Sequence, residues 1–188
     1  MRVLKLTLEN INSLAGRHVI NFGKIAEKGE SVFAIGGKTG SGKTTILDAI
    51  CLALYGRTPR VSITNSNNEV MTRGTRDCLA ELEFEAKGEK YTAHFSHSRT
   101  RNITTFRPVK RVLRDAKGQD IDFSDKKIED ISGFSFEQFT KVVLLPQGSF
   151  AEFLNSKKED KGDLLEKITG GEIYRQISII SQRRNSEA

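Results

Sequence analysis

The run Gly37-Lys38-Thr39-Gly40-Ser41-Gly42-Lys43-Thr44 constrains this chain more than any other segment. It fits the phosphate-binding pattern G-x-x-x-x-G-K-[ST] at every fixed position. Such a loop belongs between a buried strand and a helix, and the flanks supply both. Ahead of it, Ser31-Val32-Phe33-Ala34-Ile35 is the short apolar run of a buried parallel strand. Behind it, Thr45 to Tyr55 reads as a helix ended by Gly56, a natural stop residue. Gly37, Gly40 and Gly42 permit turns that a side chain would obstruct, so successive N–H groups face a phosphate. The helix beginning near Lys43 brings its positive end to the same anion. Lys43 is expected to reach the β- and γ-phosphates, Thr44 to ligate Mg²⁺ through its hydroxyl, and Thr45 to donate toward the α-phosphate. The expected ligand is a nucleoside triphosphate held by residues 37 to 45.

A chain of 188 residues has room for one domain with an appendage. No apolar run approaches the roughly 20 residues that span a membrane, and the N-terminus lacks the apolar core of a signal peptide. No membrane partner is expected, and a cytoplasmic location is. Two cysteines cannot form a metal site alone, and Cys51, on the apolar helix, reads as a reduced core thiol. The net charge of +6 favours a polyanionic partner.

Alternating patterns predict strands over Arg2 to Leu8, Arg17 to Phe22, Leu79 to Ala86, Lys90 to Ser98 and Thr105 to Arg114. Asn10 to Gly16 reads as a turn, Gly88 as a hairpin connection and Arg57 to Asn68 as a surface loop. Pro108 marks the last strand as an edge or a bulged one. Ser124 or Asp125 is expected to cap a short helix through Ile131, and Ser135 another from Phe136. Lys157 to Ile168 reads as an amphipathic helix, and a last one from Glu172 carries Ile173, Ile177 and Ile180 at coiled-coil-like spacing. The domain division read from this is 1–170 for a nucleotide-binding lobe and 171–188 for the start of a coiled-coil helix.

One part of an NTPase is missing. Hydrolysis needs an acidic residue at the end of an apolar strand, to hold Mg²⁺ and orient water. After the phosphate loop no run of four aliphatic residues ends in Asp or Glu; Val142 to Leu145 leads instead into Pro146-Gln147. The chain is expected to carry half of a site.

A whole phosphate loop, a glutamine after a later apolar run and a coiled-coil-like exit together resemble the N-terminal half of an SMC-like ABC ATPase head. The resemblance is closer still to the SbcC family, the ATPase subunits of a bacterial DNA exonuclease complex used in recombination and break repair. It is carried by Asn10 to Leu14, Gly40 to Gly56, Met71-Thr72-Arg73, Cys78 to Glu81, Gln147 to Ala151 with Phe153-Leu154, and Leu164 to Glu166. Lys38 departs from it, standing where the family often has proline. The resemblance implies an α/β P-loop NTPase fold, an ABC/SMC-type head lobe I with an added antiparallel β-sheet. It also implies ATP and Mg²⁺ as ligands. Gln147 would be the Q-loop glutamine, contacting Mg²⁺ and the attacking water, and Asn12 and Ser13 would lie near the nucleotide. The implied partners are the C-terminal half of the same head, a second head in a homodimer, an SbcD-type nuclease and double-stranded DNA, with the protein nucleoid-associated. ATP would close the head dimer and hydrolysis would open it, gating the nuclease. This chain alone would not turn ATP over.

Arg99, Arg101, Arg107, Lys110, Arg111 and Arg114 fall in a stretch without an acidic residue. They form either a basic ledge for a duplex backbone or a solvated edge strand. Two other functions compete: an SMC-type chromosome organiser without a nuclease partner, and a small-molecule P-loop kinase. The kinase would normally complete its acidic site within a chain of this size.

Overall fold

The computed structural model describes residues 1–26, 35–61, 63–64, 67–101 and 105–140. The chain divides into two compact units, Met1–Phe136 and Glu137–Ala188. The sheet and the phosphate loop belong to the first. The expected strand at 31–35 falls mainly outside the described residues, as do Gln147, both late helices and the expected boundary at residue 170.

Six strands form one antiparallel sheet in the order β2-β1-β3-β4-β5-β6. They are β1 (Arg2–Ile11), β2 (Leu14–Asn21), β3 (Asp77–Ala86), β4 (Glu89–Ser98), β5 (Lys110–Arg114) and β6 (Asp120–Ile121). The sheet has one dry face. Cys78, Ala80, Leu82, Phe84 and Ala86 of β3 are buried, while each residue between them is more accessible, as a period of two requires. Leu6 and Leu8 of β1, Ala93 and Phe95 of β4 and Leu113 of β5 lie on the same face by register and are fully buried. On the opposite face Arg2 pairs with Glu85, Lys5 with Glu83, and His94 with Glu81.

The helix α2 (Lys43–Tyr55) covers the dry face. Its buried residues include Ala49, Ile50, Cys51, Leu52, Ala53, Leu54 and Tyr55, so it is apolar nearly all round. Each leucine buried here contributes roughly 1.5–3 kcal/mol. Gly56 ends the helix at φ 68, donating its N–H to the Leu52 carbonyl at 2.9 Å. Ser124 caps α3 (Asp125–Ser132), accepting from the Lys127 N–H at 3.1 Å, and the short α4 (Phe136–Gln138) begins where expected.

Four local expectations are corrected. The strands β1 and β2 run into the expected Asn10–Gly16 turn, pairing as far as Ile11 with Leu14. Asn10 and Asn12 make this possible by adopting φ 53 and φ 49, conformations that asparagine tolerates best among residues with a Cβ. Phe22 leaves the second strand and opens α1 (Phe22–Ala26), because Asn21 turns its side chain onto the Lys24 N–H at 3.0 Å. The expected strand from Thr105 is interrupted at Pro108, which has no N–H to donate: Phe106 pairs with Arg99 in an isolated bridge, Lys110–Arg114 forms β5, and β5 is not an edge, because β6 pairs beyond it. The loop from Arg57 to Asn68 is not wholly at the surface: Thr58 and Asn68 are buried. By contrast, Lys87 and Gly88, at φ 52 and φ 82, make the expected tight hairpin between β3 and β4.

Candidate functional site

The phosphate loop is a surface turn leading into α2. Ser41 donates its N–H to the Lys38 carbonyl at 3.1 Å, and Gly40 and Gly42 take φ 83 and φ 88. A Cβ on Gly37 would stand 2.5 Å from the Ser41 Oγ. A Cβ on Gly42 would stand 2.8 Å from Leu14, so the start of β2 presses on the loop. Gly42 is the N-cap of α2 and offers no side-chain acceptor. The N–H groups of the first turn are thus left for a ligand.

Lys43 Nζ lies back over the loop, donating to the carbonyls of Gly37 at 2.7 Å and Lys38 at 2.8 Å. Lys38, Thr39, Gly40, Ser41 and Thr44 are exposed, whereas Thr45 is buried. This donor set fits a triphosphate: helix N–H groups, an ammonium held at the loop mouth and a free-facing hydroxyl at Thr44. A cavity of about 540 Å³ adjoins it, walled by Leu8, Leu14, Arg17, His18, Ile20 and Ile35 among others. The cavity wall escaped sequence reading, because nothing in Leu14 to Ile20 marks it until β2 folds against the loop.

Asn12 and Ser13 form the β1–β2 turn. Ser13 is exposed. Asn12 donates from Nδ2 to Asp48 Oδ2 at 3.0 Å, and Arg60 also bonds that oxygen. Asp48 is buried on α2 one turn beyond Thr44. It was missed in the sequence, where the lone acid of an apolar helix was its one signal. Met71 bridges Ile11, and Thr72 donates its hydroxyl to the Asn12 carbonyl at 3.0 Å. The structure therefore brings Asn12, Thr72 and Asp48 together beside the start of α2.

Of the basic residues, Arg101, Arg107 and Lys110 are exposed. Arg99 lies over the Phe106 ring at 4.4 Å, and Arg114 is bonded to Asp120 at 2.9 Å. Arg111 is turned inward. It donates to the Leu54 carbonyl at the end of α2 and to Asp125, and its guanidinium lies 4.2 Å from the Phe123 ring centre. Cys51 and Cys78 are both free and buried; burial pushes their thiols up to about 12 and about 11, with Asp48 adding to the first.

The sequence profile of the AAA domain family matches residues 5–187. The chain belongs to this family. It is also similar over its whole length to the SbcC subunit of the nuclease SbcCD from Pseudomonas aeruginosa, at 34% identity across 18% of that protein. The probable DNA double-strand break repair Rad50 ATPase of Aquifex aeolicus is 32% identical over 97% of this chain and 18% of its own length. Among solved structures, the SMC head domain from Thermotoga maritima is similar at 23% identity and a TM-score of 0.40, over 69% of this chain and 41% of that one. The resemblance to SbcC read from the motifs holds. The chain spans less than a fifth of the length of these curated relatives. Among the described residues, no helix is long and apolar enough to cross a membrane.

Proposed function

We propose that this chain is the ATP-binding N-terminal lobe of an SMC-like DNA repair ATPase head of the SbcC kind. The observation that carries the reading is the glycine turn, its lysine and the uncapped start of α2 meeting in the wall of a cavity of about 540 Å³. Lys43 would exchange the carbonyls of Gly37 and Lys38 for phosphate oxygens, and the N–H groups of the first turn of α2 would bind the same anion. Thr44 would hold Mg²⁺, with Gln147 completing the coordination. Bound Mg·ATP supplies a phosphoanhydride whose hydrolysis would drive head opening. The catalytic acid would come from the C-terminal half of the head, and the second head would close on the nucleotide. Relatives are named as subunits of a nuclease, which supports an SbcD-type partner and a role in gating its access to double-stranded DNA. Arg101, Arg107 and Lys110 would then contact the duplex backbone without sequence preference.

Calorimetry with Mg·ATP tests the site. Lys43→Ala is expected to weaken binding by about tenfold or more, the loss of one charge-assisted contact of about 1.5–3 kcal/mol. Because Nζ bonds loop carbonyls at the surface, the loss of stability without nucleotide should stay within about 1 kcal/mol. Undiminished affinity in Lys43→Ala would overturn the assignment.

A further inference from the structure

A second buried polar cluster lies behind the site, centred on Asn68 and His97, which are 5% and 1% exposed. Asn68 Oδ1 accepts the N–H groups of Val70 and Met71, both at 3.0 Å. Its Nδ2 donates to His97 Nδ1 at 2.9 Å and to Cys78 Sγ at 3.4 Å. All four hydrogen-bonding positions of the amide are filled, so it has one orientation. Flipping it would set two acceptors together at His97 and donors against donors at Val70 and Met71. The same bond determines the imidazole tautomer. With Nδ1 accepting, the proton sits on Nε2 and is donated to the Arg107 carbonyl at 3.0 Å.

The cluster is connected at both ends. Toward the phosphate loop, Asn12 donates its N–H to the Val70 carbonyl at 2.7 Å, Thr72 bonds Asn12, and Asn12 bonds Asp48 on α2. Toward the basic residues, His97 stacks on Phe106 with ring centres 4.7 Å apart, and Arg107 donates its N–H to the Ser98 carbonyl at 2.8 Å. An unbroken series of hydrogen bonds thus runs from the helix behind the nucleotide loop to the segment that presents Arg107.

We propose that Asn68 and His97 are positioning residues that couple the nucleotide site to the segment presenting Arg107, so that an occupied phosphate loop orders the surface offered to a polyanion. The inference rests on the nucleotide-site reading above. The junction of Asn68 and His97 is buried with its side-chain donors and acceptors used, so it has few intermediate arrangements, and a constraint at one end is felt at the other. Coupling is read by an energetic test.

Amide hydrogen exchange of the full chain with and without Mg·ATP supplies it, with calorimetry in parallel. In the wild type, nucleotide is expected to slow exchange at Asn12 and Thr72, near the site, and at Thr100 and Arg107, beyond the cluster. The distal effect should be about fivefold, the lower end of ordinary coupling between sites. In Asn68→Ala the near effect should persist and the distal one vanish. His97→Phe keeps the ring shape and the stacking on Phe106 while removing both ring hydrogen bonds, and it should give the same split where Asn68→Ala does not fold. Distal slowing that survives His97→Phe, or that is absent from nucleotide-bound wild type, overturns the proposal. No calorimetric binding at all overturns the nucleotide-site reading, and this inference with it.

Discussion

Replacing Gly42 by alanine would test how β2 and the phosphate loop hold one another. Gly42 stands at φ 88, where an L-residue with a Cβ loses roughly 1–2 kcal/mol. The new Cβ would also lie 2.8 Å from both Cγ and Cδ2 of Leu14. Because Cγ is one of the contacts, turning the end of the leucine does not clear it; its χ1 must change or β2 must move. Overpacking of this kind costs about 1–3 kcal/mol. The sum, about 2–5 kcal/mol, corresponds to a fall in melting temperature of roughly 4–20 °C for a chain of this size. Urea denaturation of Gly42→Ala in the wild-type and Leu14→Ala backgrounds separates the two costs. Without the leucine only the backbone strain remains, so Gly42→Ala should then cost about 1–2 kcal/mol, and the cycle should return a coupling of about 1–3 kcal/mol. Equal costs in the two backgrounds would refute the contact between Leu14 and the loop.

Arg111 and Lys110, adjacent in sequence, should separate cleanly. Arg111→Met removes the bonds to Leu54 and Asp125 and should lower stability by about 1–2 kcal/mol in denaturation without changing duplex affinity. Lys110→Glu should stay within about 0.5 kcal/mol of wild type in stability and weaken duplex binding at low salt. Alkaline pH should unfold the chain early. Burial holds the thiols of Cys51 and Cys78 protonated up to about 12 and about 11, against 9.0 for an unperturbed thiol. The unfolded chain therefore ionises first. The contribution of the two thiols is complete below about pH 9 and falls as pH rises through 9 to 11, by on the order of 1 kcal/mol per pH unit for each thiol. Urea midpoints that stay flat from pH 8 to 11 would contradict this, and Cys51→Ala should reduce the decline by about half.

The glycine-rich loop, the helix behind it and most of the sheet are legible in the sequence alone. Those depend on local chemistry: fixed glycines, an alternating β3, and Gly56 and Gly88 where φ must be positive. It also carried the family, because Gly40 to Gly56 is specific in its own right. Folding sets which charges face water and what stands beside the loop. Arg111 and Lys110 are indistinguishable as text, yet one is drawn under the end of α2 and the other faces water. Asp48 looked like one acid in an apolar helix until folding set Asn12 and Arg60 against it. Asn68 lay in a polar run that reads as surface, and only the approach of β4 and the Arg107 segment made it a buried junction. Each of these depends on partners far away in the chain. A hydrogen bond or ion pair is a property of two groups at a distance of about 3 Å, and one-dimensional spacing does not encode which groups will meet.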